Sequence, residues 1–160
     1  MAEGGLDFYL TFLLIIDSDW DRSRPSLFLL AEENMSVSEI ANDLVNLCRQ
    51  GQFMEAIEKH YGDDIVSVEP VAMPGMPAEM SGIEAIKGKS QWWIDNHEVH
   101  SVELIGPFVG DNGFAVKFHM DITNKPSGQR MQMTEAALYF VNDGKIVREE
   151  FYYNAAGGGA

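Results

Sequence analysis

The sequence has few of the features that mark several large classes of protein. Cys48 is the only cysteine in 160 residues, so no intrachain disulfide can form, and the chain suits a reducing, cytoplasmic compartment. Lys and Arg total 11 against 25 Asp and Glu, which gives a net charge of −14. Nucleic acids and anionic membranes are bound through basic patches, and the basic residues here do not cluster. Neither is therefore an expected partner.

Long apolar runs are also scarce. The clearest one, residues 6–16, is interrupted by Asp7 and Thr11 and is too short to span a bilayer. Acidic residues stand where a secretory signal carries positive charge. Residues 1–34 have three interpretations: an extra helix or strand on the domain, a poorly ordered tail, or a mis-assigned gene start with Met35 as the true initiator. We favour the third, because a helix-start signal follows Met35 at once.

That signal is a capping box, in which Ser36 caps the helix and Glu39 reaches back to it. Apolar residues then recur at the spacing of one helix face, and Gly51 is a suitable C-cap. The same periodicity continues in two later segments. Three helices are predicted, at about 37–50, 52–61 and 83–96.

The rest of the chain reads as strands. A short strand is predicted at 65–69, followed by a loop at 70–82 whose three methionines indicate either a flexible apolar lid or a plain surface loop. Hairpin turns at 110–113 and 142–145 contain Asn-Gly and Asp-Gly, which accept positive φ angles. Helices followed by a meander predict an α+β fold with one antiparallel sheet. Four long strands are predicted at about 98–109, 113–123, 130–142 and 145–153.

Alternation along these strands separates two faces. The first face of the second long strand carries Phe114, Val116, Phe118, Met120 and Ile122, and its other face is polar. Sequence alone leaves open which face lines the interior.

Three side chains on these strands are candidates for acid/base chemistry. His119 and Asp121 share the polar face, where histidine titrates near neutrality and a carboxylate can partner it. Lys117 in the same row favours the alternative of a solvated or dimer-facing row. Glu135 lies in a row of apolar residues, where an acid needs a partner or a function. Its structural alternative is a pairing with a buried hydroxyl or with Arg130.

Other residues are candidates for ligand contact. Tyr61, at the end of the second helix, can donate a hydrogen bond into a pocket. Trp92 and Trp93 are about 100° apart on the third helix, so one is expected inward and one at the mouth or in solvent. The histidines show no metal-ligand spacing, so no metal is predicted.

Three motifs, in this order, resemble those of the nuclear transport factor 2-like superfamily. Asp-Asp-Ile at 63–65 follows the second helix, and Gly-Ile-Glu-Ala-Ile at 82–86 opens the third. Asn-Asp-Gly-Lys-Ile-Val at 142–147 opens the last strand, and Glu-Glu-Phe-Tyr at 149–152 closes it. Within the superfamily the chain is most similar to the SnoaL-like and ketosteroid isomerase-like branch, over about residues 36–153.

The resemblance implies a cone-shaped, curved antiparallel sheet with three N-terminal helices on its concave side, a cystatin-like α+β barrel around an apolar cavity. It also implies a homodimer packed through its sheets. The expected domain is 35–154, and 155–160 is expected to be a flexible tail. SnoaL-like cyclases use a His and an Asp, and the position of that Asp is occupied here by Phe151, which cannot move protons. Glu149 shares its face and can substitute.

Together these observations predict a domain that binds a small apolar or aromatic molecule. Any chemistry is expected to be cofactor-free proton transfer of the isomerase, cyclase or dehydratase type. The alternative is a non-catalytic module for ligand binding, or for dimerisation through an outer sheet face. If they are not core residues, that face is supplied by Phe114, Val116, Phe118, Met120, Leu138 and Phe140. The predicted catalytic residues are Glu135, Asp121 and His119, and the predicted ligand contacts are Tyr61, Trp93, Met133, Glu149 and Phe151.

Overall fold

The computed structural model describes residues 34–73 and 75–154. The three predicted helices and four long strands are all present, with ends within one residue of the prediction. The expectations for residues 1–33 and 155–160 lie outside the described residues. The helices are α1 (Val37–Arg49), α2 (Phe53–His60) and α3 (Ile83–Asn96), and the strands are β1 (Tyr61–Val68), β2 (Glu79–Ser81), β3 (His97–Val109), β4 (Gly113–Asn124), β5 (Gln129–Asn142) and β6 (Lys145–Tyr152).

The capping box at the start of α1 is confirmed. The Glu39 amide donates to Ser36 Oγ at 3.3 Å, and the Ser36 amide donates to Glu39 Oε2 at 2.8 Å. Two amides that the helix cannot satisfy internally therefore have partners. Gly51 follows the helix with a φ of 74°, the left-handed conformation that glycine adopts without strain.

The sheet is curved, mixed and not closed, with strand order β2-β1-β6-β5-β4-β3. The prediction of a purely antiparallel sheet is wrong for one pair, because β1 runs parallel to β6. A crossover through β2 and α3 separates β1 from the β3–β6 meander. The last strand of that meander therefore runs beside β1 in the same direction.

The helices cover the concave face of the sheet. On β4 the alternating residues from Phe114 to Ile122 are all buried, and they share one core with Ile40 and Leu44 of α1. Each such side chain contributes roughly 1.5–3 kcal/mol to folding when it leaves water. Phe114, Val116, Phe118 and Met120 are thus core residues and not part of a dimerisation face. Leu138 and Phe140 lie half-buried on the outer face.

The two hairpin turns are where they were predicted, but only the second adopts the positive φ angles that its sequence predicts. Asp143 and Gly144 have φ angles of 48° and 73°, as a type I′ turn requires. The earlier turn closes through the Gly110 amide and the Gly113 carbonyl at 2.8 Å. Asn112 there is not in the left-handed region, since Asp143 is the only non-glycine with positive φ in the described part of the chain.

A β-bulge interrupts the alternation of β6. Val141 pairs with Ile146 and Phe140 pairs with Arg148, so Val147 is an extra residue. Ile146 and Glu149 consequently face the same side although they are three residues apart. Regular alternation along the sequence would predict that Val147 shares a face with Glu149, and the bulge makes that prediction wrong. Among the described helices, none is long and apolar enough to cross a membrane.

Candidate functional site

A cavity of about 330 Å³ lies between the helices and the concave face of the sheet. This volume is at the lower end of the ~300–1,000 Å³ typical of small-molecule sites. All three helices and strands β1, β4, β5 and β6 contribute to its wall. Its aromatic residues are Phe53, Tyr61, Trp92, Trp93, His97, Phe118, Tyr139, Phe151 and Tyr153.

Glu149 is the most fully paired acid in this cavity, and only 2% of it is exposed. Its Oε2 accepts from Tyr61 Oη at 2.5 Å, and its Oε1 accepts from Ser67 Oγ at 2.6 Å. Lys89 Nζ is 3.2 Å from the same Oε1. Two hydroxyls and one ammonium therefore fix the carboxylate in place.

Lys89 is buried in the middle of α3 and is fully engaged. Besides Glu149, its Nζ donates to Ser67 Oγ at 2.6 Å and to Glu69 Oε1 at 2.7 Å. The ammonium lies 4.5 Å from the centroid of the Phe151 ring. Burial alone would lower the pKa of Lys89, but Glu149 and Glu69 outweigh burial, so the pKa is raised. Lys89 is therefore a permanent cation with its three donors in use.

The second oxygen of Glu69 is also paired, since it accepts from Tyr153 Oη at 3.1 Å. Burial, and then Glu69, raise the pKa of that tyrosine. The hydroxyl therefore remains a proton donor at neutral pH.

Glu135 differs from the other two acids. It lies on β5 opposite Phe118, on the cavity face, and no side chain within residues 34–73 or 75–154 donates a hydrogen bond to it. Burial raises its pKa from 4.5 to about 7; Glu69 and Glu149 add to the rise, and Lys89 partly offsets it. Its carboxyl can therefore both accept and release a proton near neutral pH.

The two cavity tyrosines on β1 and β5 also differ. Tyr61 was predicted to donate into the pocket, but its hydroxyl already donates to Glu149. Tyr139 lines the cavity with its ring stacked on Phe114 at 4.8 Å, and its hydroxyl has no hydrogen-bond partner among the described residues. Burial holds the pKa of Tyr139 well above 10, so its proton is available to a ligand.

His119 and Asp121 are not in the cavity, contrary to the prediction. The phase of β4 puts the apolar row inward, so both side chains lie on the outer face of the sheet. His119 Nδ1 is 2.7 Å from Thr134 Oγ1. Arg130 donates twice to Asp121, at 2.9 and 2.7 Å, and lowers the pKa of that carboxyl. The expected acid/base pair of His119 with a carboxylate of this site does not form.

The remaining predicted contacts, Trp93, Met133 and Phe151, do line the cavity. His97 also lines it, but its Nδ1 is 2.9 Å from the Trp93 carbonyl and its Nε2 is 3.2 Å from Asn124 Nδ2. Both ring nitrogens are thus occupied. Across the described residues no group of three or more side chains could hold a metal.

Sequence reasoning missed Ser67, Glu69, Lys89 and Tyr139. One signal was available, because Lys89 lies three residues after Ile86 and four before Trp93, within the inward stripe of α3. A charged residue in an apolar stripe needs a buried partner. The partners themselves lie 20 and 60 residues away in the sequence.

Many solved structures resemble this chain, and three of them illustrate the range of similarity. A protein from Mesorhizobium loti, named as a SnoaL-like polyketide cyclase with carbohydrate phosphatase in brackets, is 47% identical with a TM-score of 0.69. It aligns over 74% of this chain and all of its own. The two activities in that name are different chemistries, so the name alone does not identify a reaction.

Two more distant structures share the fold. A protein from Bacillus subtilis named as an isomerase is 19% identical, with a TM-score of 0.64 over 76% of this chain and 91% of its own. One from Pseudomonas putida named as a polyketide cyclase is 14% identical, with a TM-score of 0.59 over 77% and 95%. A search of curated proteins gives no match. The SnoaL-like domain profile matches residues 35–153, and the chain therefore belongs to the SnoaL-like domain family.

Proposed function

We propose that the chain binds a small apolar or aromatic molecule in this cavity and moves a proton on it with Glu135, without a cofactor. The cavity volume and its aromatic wall support the binding step. Membership of the SnoaL-like family, whose fold neighbours include proteins named as cyclases and isomerases, supports the reaction class.

The observation that carries the proposal is the contrast between Glu135 and Glu149. A general base works best when its pKa is close to the operating pH and when a lone pair is free. Glu135 meets both conditions, because its pKa is about 7 and no described donor occupies it. Glu149 is held by Tyr61, Ser67 and Lys89, and acts as a fixed charge that positions Lys89.

The chemistry that fits is proton abstraction next to a carbonyl group. The Glu135 carboxylate takes a proton from the carbon beside the carbonyl, the electron pair of the broken C–H bond forms a C=C bond, and the π pair of the carbonyl moves onto its oxygen. The Tyr139 hydroxyl donates a hydrogen bond to the developing oxyanion. The protonated Glu135 then returns the proton to the same or another carbon, which leaves the enzyme unchanged.

Deuterium exchange into 1-indanone tests this proposal, since this ketone is small, bicyclic and acidic beside its carbonyl. We expect the protein to accelerate exchange in D₂O, measured by NMR, with a rate that rises with pH through about 7 as Glu135 ionises. Glu135→Gln should abolish the acceleration. The control Glu103→Gln removes the same charge from the exposed outer side of β3 and should retain it. Equal rates in wild type and Glu135→Gln would remove Glu135 from the reaction.

A second function, dimerisation through the outer sheet face, is favoured by the apolar residues exposed there. Ile105 is 42% exposed, Phe108 62% and Tyr152 54%. Register places Phe108 in line with Ala115 and Leu138. Ile105 is in line with Lys117, Ala136 and Tyr152, so one lysine interrupts the apolar residues of this face. Apolar residues exposed together on one face are typical of interfaces.

Light scattering coupled to size-exclusion chromatography tests the homodimer. We expect a dimer for the wild type and a monomer for Phe108→Asp, because a charge in place of the most exposed of these apolar side chains cannot be buried unpaired. Val71→Asp is a matched control, since Val71 is exposed in the loop after β1. A monomeric wild-type protein would exclude this interface.

A further inference from the structure

The charges around the cavity are unbalanced. Three carboxylates line it, those of Glu69, Glu135 and Glu149, whereas Lys89 is the only Lys or Arg among the lining residues that the structure describes. Lys89 already contacts Glu69, Glu149 and Ser67. A ligand that enters the cavity therefore meets no uncommitted cation and at least one net negative charge.

This imbalance selects the charge of the ligand. An anion would find the Tyr139 hydroxyl as a free donor but no uncommitted cation, and it would be buried near three carboxylates without an opposite charge to pair with. A cation that donates a hydrogen bond supplies the donor that Glu135 lacks, and a hydrogen bond between charged groups is stronger than one between neutral groups. The aromatic wall, which includes Phe53, Trp93 and Tyr139, also tolerates a cation because the faces of the rings are electron-rich.

We propose that the ligand of this cavity carries a positively charged amine, whose ammonium group donates to Glu135 while its apolar body packs against the aromatic wall. This inference rests on the proposed binding function and adds the chemical class of the ligand. A carboxylate has two oxygens, so one can hold the ammonium while the other keeps a free lone pair, although the cation lowers the pKa of Glu135 and weakens it as a base.

The affinity for an amine depends on the charge of Glu135. An alkyl ammonium keeps its proton up to a pH of about 10, whereas Glu135, with a pKa of about 7, changes charge between pH 5 and 8. Binding should therefore strengthen as pH rises through that range. The other titratable and charged groups that interact with Glu135 are Glu69, Lys89, Glu149, Cys48, Tyr139 and Tyr153.

Three compounds with one skeleton test the inference: 2-aminoindane, 2-indanol and indane-2-carboxylate. Calorimetric titration at pH 8 should give the tightest binding for the amine, roughly ten- to a hundredfold tighter than the alcohol, and the weakest for the carboxylate. In Glu135→Gln the amine should lose this advantage, and in Glu103→Gln it should keep it. The advantage of the amine in the wild type should also shrink at pH 5.

Several results would overturn the inference. They are equal affinity for the amine and the alcohol, tighter binding of the carboxylate, and an amine preference that survives in Glu135→Gln. If the alcohol binds and the amine does not, the inference fails while the proposed binding function stands. If none of the three binds, both fail. A preference for the amine without deuterium exchange into 1-indanone would keep the inference and remove the proton-transfer step.

Discussion

The two faces of the sheet carry the same kinds of charged group in opposite environments. On the outer face, Arg130 and Asp121 form a two-point ion pair whose arginine is 62% exposed. On the cavity face, Lys89 forms ion pairs with Glu69 and Glu149. The exposed fractions of these three side chains are 9%, 10% and 3%. Water screens the first pair and not the second, so a similar geometry has different consequences for stability. The pKa of Asp121 on the outer face is lowered by its arginine, whereas burial on the cavity face raises that of Glu135.

The largest expected effect follows removal of the buried cation. Lys89→Met leaves two buried carboxylates without their common partner and should lower the free energy of unfolding by about 3–5 kcal/mol. Arg130→Met on the outer face should leave the unfolding midpoint almost unchanged. Urea unfolding at pH 7 measures both. Similar losses in the two variants would mean that the faces do not differ as described.

The next largest effect is an increase in the free energy of unfolding. The pKa of Glu135 is about 7 in the folded protein against an ordinary 4.5, so the folded state binds the proton more tightly than the unfolded chain does. The acid therefore costs no stability below pH 4.5, and its cost grows to its full value above pH 7. Glu135→Gln removes that cost and should stabilise the protein at pH 8 by roughly 3 kcal/mol.

Urea unfolding of Glu135→Gln at pH 4.5 and pH 8 checks this sign. The gain over wild type should vanish at the lower pH, and Glu103→Gln should show no such pH-dependent gain. A Glu135→Gln variant that is less stable than wild type at pH 8 would contradict the raised pKa.

A smaller effect separates the two tyrosines. Tyr61→Phe removes a donor from the buried Glu149 and should cost roughly 1.5 kcal/mol. Tyr139→Phe removes a hydroxyl that has no described partner and should leave stability nearly unchanged, while it slows exchange into 1-indanone. Thermal unfolding and the exchange assay together measure this. Equal destabilisation by the two substitutions would indicate that Tyr139 is also structural.

The smallest expected effect is at His119. Because the side chain of His119 lies on the outer face, His119→Gln should change neither deuterium exchange into 1-indanone nor the binding of 2-aminoindane. The same NMR and calorimetric measurements test it. A loss of exchange comparable to that of Glu135→Gln would return His119 to the site.

Local signals in the sequence predicted most of the fold. Ser36 with Glu39 marked the start of α1, and Asp143-Gly144 marked the last hairpin, because each needs only neighbouring residues. Alternation also separated the two faces of β4 and β5 correctly, but it carries no information about which face the helices cover. Glu135 was therefore assigned correctly to the cavity, whereas His119, which lies on the outer face, was assigned to it wrongly.

The network around Lys89 could not be predicted in the same way. It depends on the parallel pairing of β1 with β6, which places Ser67 directly beside Glu149. These residues are 82 positions apart in the chain, and the local sequence around each gives no indication that the other is its partner. Local periodicity shows that a side chain points inward, whereas long-range pairing determines what it meets there.

The extra residue at Val147 determines which side chains of the last strand point into the cavity. If β6 kept Val147 but alternated regularly without the bulge, the segment after Val147 would be turned over relative to the hairpin. Glu149 and Phe151 would then face solvent, and Arg148, Glu150 and Tyr152 would enter the cavity. The position of this single insertion thus fixes which of two alternative sets of side chains the molecule offers to its ligand.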